Sequence, residues 1–210
     1  MRIAILTTKD QWFQMYAVNF SKKIGASLFY DYATIKGYDI VFILGFHTII
    51  PEEILTKNKH NIVIHESALP KGKGWAPMFW QVLEGKNKIP VTMFEATKGT
   101  DNGPIYMQRT LTLTGFELNA ELRQKQAEFT IAMCLEFIDN YQQYKEPIDQ
   151  IGEETFYPKR SAKDSKLDIN RTIKEQFNLL RIVNNNEYPA FFEIDGHKYI
   201  IKIEESDENR

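Results

Sequence analysis

The side chains best suited to chemistry cluster in two short stretches, NIVIHESALPKGKGWAP around His65 and TKGTDNGPIY around Asp101. An imidazole and a carboxylate are a general acid–base pair if the fold brings them together. Taken alone, neither is diagnostic: a histidine ending a strand is more often structural, and an aspartate in a Thr-Asp-Asn-Gly setting is more often a turn residue. The other obvious chemistries lack their residues. His47, His60, His65 and His197 lack paired metal-ligand spacing, and the single cysteine, Cys134, adds little, so no metal is expected. Neither a GxGxxG nor a Walker-type glycine loop follows the first strand, which disfavours hydride-transfer and ATP chemistry.

The elements that must position the pair are legible from apolar patterning. Ile3 to Leu6, Asp39 to Gly45 and Asn61 to His65 are short continuous apolar runs, as in parallel strands buried on both faces. Gln11 to Ile24 carries Trp12, Met15, Tyr16 and Phe20 at helical spacing, and Ser27 to Tyr30 is a short strand candidate. The runs ending near Gly45 and His65 therefore emerge at the carboxyl edge of a sheet, where open α/β folds take ligands. Pro77 heads a helix to about Glu84, and Pro90 to Ala96 and Pro104 to Thr112 are strands flanking the Asp101 loop. A long helix runs from Asn119 to about Tyr144. Beyond it come a helix around Ile173 to Val183 and a hairpin turning at Asp195-Gly196. The expected class is α/β with a mainly parallel sheet over residues 1–147. A small α+β appendage occupies 148–210, with EESDENR as a frayed tail.

Composition narrows the function. Hydrophobic residues make up 43% and charged residues 26%, enough for a sizeable core. The formal charge of −2, from 26 basic and 28 acidic residues, lacks the basic footprint of a nucleic-acid binder. No apolar stretch approaches the roughly 20 residues of a membrane span, and the N-terminus reads as a strand and not a signal peptide, so neither a membrane nor a nucleic-acid partner is expected and the cytoplasm is the default.

In combination, the pattern His, x, Ser, x, Leu-Pro, then a Pro-headed helix with Trp80, then Asp-x-Gly-Pro-Ile resembles the folate-dependent formyltransferases from about Ile40 to Gln108. That family includes glycinamide ribonucleotide, methionyl-tRNA and nucleotide-sugar enzymes. The resemblance implies a Rossmann-like catalytic domain, 10-formyltetrahydrofolate as cosubstrate, and His65 and Asp101 as catalytic residues. Ser67, Leu69 and Pro70 match the family's serine-leucine-proline turn. Phe46, Ile49 and Ile50 resemble the segment lining the pterin pocket, and Ala96, Thr97 and Thr100 the loop that closes over it. Val63 stands where the family usually has Asn, and Asn61 lies two strand rises further back. Ser67, Lys71 and Asn102 are the side-chain candidates for the missing oxyanion donor, a backbone amide being the alternative.

The Lys-Gly-x-Gly-Trp variant of the motif is most similar to nucleotide-sugar N-formyltransferases of the pseudaminic-acid type. Their implied acceptor is UDP-4-amino-4,6-dideoxy-N-acetyl-L-altrosamine. The substrate-contact candidates are Lys71, Gly72, Lys73 and Trp75, with Arg160, Tyr188 and Phe191 from the appendage. Glycinamide ribonucleotide or methionyl-tRNA formylation, and a non-catalytic folate or nucleotide binder, are the alternatives. In formyl transfer an amine attacks the formyl carbon and negative charge develops on its oxygen. An imidazole kept protonated by a neighbouring carboxylate is suited to face that charge.

Overall fold

A computed structural model describes residues 1–206; of the expected frayed tail, residues 207–210 lie outside the described residues. The apolar runs form a six-stranded sheet. In chain order the elements begin with β1 (Ile3–Leu6), α1 (Gln14–Ile24), β2 (Ser27–Phe29), β3 (Ile40–Ile43), α2 (Glu52–Leu55) and β4 (His60–His65). They continue with β5 (Lys73–Gly74), α3 (Pro77–Leu83), β6 (Lys88–Glu95), β7 (Ile105–Thr112), α4 (Asn119–Asp139) and α5 (Tyr141–Tyr144). The remainder is β8 (Phe156–Tyr157), two 3-10 turns (Ala162–Ser165 and Lys174–Gln176), α6 (Phe177–Ile182), β9 (Ala190–Ile194) and β10 (His197–Ile201).

The sheet order is β2-β1-β3-β4-β6-β7. The pairs β1·β2, β1·β3 and β3·β4 are parallel, whereas β6 runs antiparallel to both β4 and β7. This is the mainly parallel α/β sheet expected. Alternation along the strands splits the core in two. Ile5, Phe42 and Ile62 face a cluster shared with Ala17 and Phe20 of α1, Met78 and Val82 of α3, and Met133 and Phe137 of α4. Ala4, Leu6, Val41 and Ile43 face the opposite side, where Leu55, Phe46, Ile50, Val63 and Ala96 pack. A period of two puts Asn61, Val63 and His65 on this second side.

Helix ends fall where local chemistry changes. Gly25 closes α1 in the left-handed region at φ 65°, its N–H donating to Ser21 O. The Glu121 carboxylate accepts the Leu118 N–H at 3.0 Å and caps α4. The single long helix expected to Tyr144 is instead broken at Asn140 (φ −114°, ψ 31°), after which α5 forms one further turn. Likewise the helix expected around Ile173 begins as a 3-10 turn and becomes α-helical only at Phe177. The hairpin is as anticipated: β9 and β10 pair antiparallel around Asp195 (φ 51°) and Gly196 (φ 80°).

Residues 148–206 are tied to what precedes them at several points. Ile148 and Ile105 exchange backbone hydrogen bonds at 2.7 and 2.9 Å. The two residues of β8 pair in parallel with β5. From α6, Arg181 reaches Glu117 through Nη2 to Oε2 at 3.0 Å and through Nε to the backbone carbonyl at 3.1 Å, with both residues buried.

Candidate functional site

His65 is the last residue of β4, and the chain then turns sharply. That turn is fastened from β6 and β7: Thr92, opposite His65 in the ladder, donates through Oγ1 to Ser67 O at 2.6 Å. Gln108 donates in turn to Thr92 Oγ1 at 2.9 Å. Gln81 of α3 donates to Glu66 O at 2.6 Å. The imidazole is thus set by a buried frame of polar side chains, and its exposure is 7%. Its Nε2 lies 2.8 Å from Gly72 O. A carbonyl only accepts, so this nitrogen carries a hydrogen.

Asp101 approaches from the β6–β7 loop. Its Oδ2 lies 3.7 Å from His65 Nε2 and accepts the Gly74 N–H at 2.9 Å. The two side chains therefore converge, with the Nε2–H pointing at Gly72 O beside the carboxylate. Asp101 adopts φ 53°, a left-handed conformation uncommon outside glycine and tolerated best by Asn and Asp. Gln150 holds it there, with Nε2 donating to Asp101 O at 2.8 Å and Gly103 O at 2.7 Å. The neighbouring Lys73 is almost wholly buried. Its ammonium donates to Asn102 Oδ1 and, at 2.5 Å, to Glu154 Oε1. Gly74 must be glycine: φ is 97°, and an added Cβ would lie 2.5 Å from Tyr157 O.

Beside the pair opens a cleft of about 370 Å³. Phe46, Ile49, Ile50, Ala96, Thr97 and Thr100, the six residues expected from sequence to hold a pterin, all line it. So do Ile43, Leu55, Val63 and Phe94 as an apolar floor, and His47, Gly74, Trp75 and Asp101 at the rim. Among the described residues, the backbone amides of 46–50 and 97–100 donate to no group within the chain, leaving both walls with unpaired N–H donors. An apolar floor between walls of backbone donors suits a flat heterocycle bearing polar edges.

The other candidates are dispersed. Lys71 is exposed, and the expectation of a solvated or substrate-contacting Lys73 is corrected by its burial against Asn102 and Glu154. Ser67 is buried with no partner for Oγ. Trp75 is 43% exposed and stacks on His47 at 6.1 Å, with Lys159 Nζ 4.7 Å over its ring. Arg160 lies over Trp80, Tyr188 lies on the loop before β9, and Phe191 is buried in β9 beneath Lys198, so none of the three lines the cleft.

Asn61 does not replace the family's asparagine, because its amide donates to Leu55 O and Glu95 Oε1. Sequence reasoning missed His47, Thr92, Gln108 and Gln150. Only His47, immediately after Phe46 in the cleft-lining segment, carried a local signal. Partial desolvation and the fields of Arg123 and Lys159 hold its pKa below the ordinary histidine range.

An open α/β sheet with a converging imidazole and carboxylate beside an apolar cleft has the architecture of a small-ligand site. Comparison with known proteins makes the class specific. Residues 21–138 match the family model described as formyl transferase, and the chain belongs to that family. The methionyl-tRNA formyltransferase of Thermodesulfovibrio yellowstonii is 33% identical over 146 residues, covering 68% of this chain and 47% of its own. The chain thus spans about half the length of the curated relatives it matches. By structure, a methionyl-tRNA formyltransferase from Clostridium thermocellum superposes with TM-score 0.81 at 17% identity, over 100% of this chain and 96% of that one. A 4-N formyltransferase from Francisella tularensis gives TM-score 0.70 at 18% identity, over 98% of each.

Proposed function

We propose that the chain transfers a formyl group from 10-formyltetrahydrofolate to the amino group of a nucleotide-linked amino-deoxy sugar. The acceptor favoured by the motif variant is UDP-4-amino-4,6-dideoxy-N-acetyl-L-altrosamine. The observation that carries the reading is the approach of His65 Nε2 to within 3.7 Å of Asp101 Oδ2 at the rim of the cleft. The folate's pterin lies between the 46–50 and 96–100 segments, with its formyl group directed to the rim. The acceptor nitrogen forms a bond to the formyl carbon, the bond from that carbon to the folate nitrogen breaks, and the proton lost by the amine ends on the folate nitrogen.

His65 faces the oxygen as charge develops, and Asp101 relays the amine's proton. Lys73 takes Asn102 Oδ1 and so leaves Asn102 Nδ2 as the donor edge for the same oxygen. Membership in a family of formyl transferases supports the chemistry, and the Lys-Gly-x-Gly-Trp variant of the motif favours an amino-sugar acceptor. Methionyl-tRNA is the second reading, favoured by the curated relatives. Against it stands the slightly acidic balance of the chain, since a polyanion is held by basic surface.

The test is transfer of labelled formyl from 10-formyltetrahydrofolate onto UDP-, dTDP- and GDP-linked amino sugars, glycinamide ribonucleotide and methionyl-tRNA. Product on a nucleotide sugar is expected; product on methionyl-tRNA alone would overturn the acceptor, and product on none would overturn the activity. Loss of an oxyanion donor costs about 10² to 10³ in rate, so His65→Ala should fall by that order.

A further inference from the structure

The sheet grows in two directions from β1: β2 lies on one side, and β3, β4, β6 and β7 on the other. Open α/β sheets take ligands outside the carboxyl ends of the strands at such a switch point. The cleft described above lies along β3, β4 and β6 and leaves the β1/β3 position unassigned. Three elements supply side chains there from the other face of the sheet. The β1–α1 connection brings Trp12, α3 brings Phe79, and α4 brings Arg123. The Arg123 guanidinium carbon sits 4.4 Å from the Trp12 ring centroid and 4.3 Å from that of Phe79, so aromatic rings cover the cation twice.

What this guanidinium lacks is an anion. Its only hydrogen-bond acceptor among the described residues is the neutral Gln126 Oε1, 3.0 Å from Nη1, and it makes no ion pair there. A guanidinium offers five N–H donors. The nearest carboxylate fields are those of Glu66 and Glu187. Glu66 already accepts Gln126 Nε2 at 2.7 Å and adjoins His65. The Arg123 charge is also one of the causes, after desolvation, that lower the pKa of His47 on the rim of the cleft. A partly buried arginine held flat, one donor used and no carboxylate on it, has the form of an oxyanion receptor, for which the planar fork suits phosphate geometry.

We propose that Arg123, braced by Trp12 and Phe79, binds a phosphate or diphosphate oxyanion of the amine acceptor. Assigning that anion to the acceptor rests on the formyl-transfer reading; the existence of the anion site does not. The site sets the acceptor from one face of the sheet edge while the folate enters from the other, with His65 at the edge between them.

The experiment titrates the whole chain with inorganic pyrophosphate, followed by melting temperature and by the arginine side-chain Nε–Hε resonances. Saturable stabilisation and a shift of the Arg123 resonance are expected. Arg123→Met should weaken pyrophosphate by about tenfold or more, the equivalent of a lost charge-assisted hydrogen bond, with Arg123→Lys falling between. Folate affinity should not change. An unmoved Arg123 resonance in the wild type overturns the site, and so does equal affinity in Arg123→Met. If that variant does not fold, the wild-type resonance decides alone. A UDP-linked amino sugar that displaces pyrophosphate supports the acceptor assignment, and failure to displace it overturns that assignment. Arg123-dependent pyrophosphate binding in a chain that binds no folate would sink formyl transfer and leave the anion site standing.

Discussion

At the scale of single residues, Asp101 performs two separable tasks. Its carboxylate accepts the Gly74 N–H and lies beside the imidazole, so one oxygen both fastens the loop and supplies charge. An amide oxygen also accepts an N–H, so Asp101→Asn can retain the fastening and lose the charge. Turnover should therefore drop by about 10² to 10³ while folate affinity and melting temperature stay near wild type; single-turnover formyl transfer with a folate titration measures both. Gly74→Ala is the opposite case. A Cβ at φ 97° meets Tyr157 O, so the strand must move, at a cost of about 1 to 3 kcal/mol, carrying the Gly74 N–H away from Asp101. Both stability and turnover should fall, and denaturant unfolding alongside the transfer assay reads the two losses together.

At the scale of elements, the loop that carries Asp101 is held by an irregular segment from outside it. Segment 148–157 lies beyond the residues matched to the family model, yet it grips both halves of the site. Gly72 N–H donates to Thr155 Oγ1 at 2.8 Å, Lys73 N–H to Thr155 O at 2.9 Å, and Gln150 fixes the backbone of Asp101. Gln150→Ala removes two hydrogen bonds worth about 0.5 to 1.5 kcal/mol each and frees Asp101 from its left-handed conformation. We expect kcat to fall by about tenfold or more with KM for folate unchanged; a matched fall in folate affinity would show that Gln150 shapes the cleft and not the loop. Position 150 is an ordinary polar residue in sequence, and only the return of the chain to β5 gives it a task.

At the scale of the whole molecule, the joint between α6 and the β7–α4 connection is ionic and buried. Arg181 and Glu117 are 1% and 4% exposed, and Lys125 adds a second contact to Glu117 at 2.6 Å. Arg181→Met removes the bonds to Glu117 Oε2 and Glu117 O while Lys125 and the Thr114 and Gly115 amides still hold the carboxylate, so the variant should cost about 2 to 4 kcal/mol in urea unfolding. Desolvation works to raise the Glu117 pKa. The hydrogen bonds from Lys125 and the Thr114 backbone outweigh it, and the carboxyl falls from 4.5 to about 2. Between those values the folded state binds fewer protons than the unfolded one. The stabilisation is therefore complete above about pH 4.5 and is lost as pH falls towards 2. Unfolding free energy measured across this window should decline with acid, and Glu117→Gln should flatten the decline.

The sequence alone determined the parallel apolar strands and the hairpin at Asp195-Gly196, because each is written in local periodicity or turn chemistry, while six of the residues lining the cleft were reached through the resemblance of a longer motif. It also placed His65 at a strand end and Asp101 in a loop, since both lie in short contiguous patterns. Tertiary structure decided what those patterns leave open. It broke the long helix at Asn140, buried Lys73 against Asn102 and Glu154, kept Arg160, Tyr188 and Phe191 away from the cleft, and joined residues 148–157 to the backbone of Gly72 and Asp101. The physical reason is range: periodicity reports which face a residue shows, whereas side-chain hydrogen bonds and ion pairs between residues 27 to 81 positions apart depend on how the chain closes on itself.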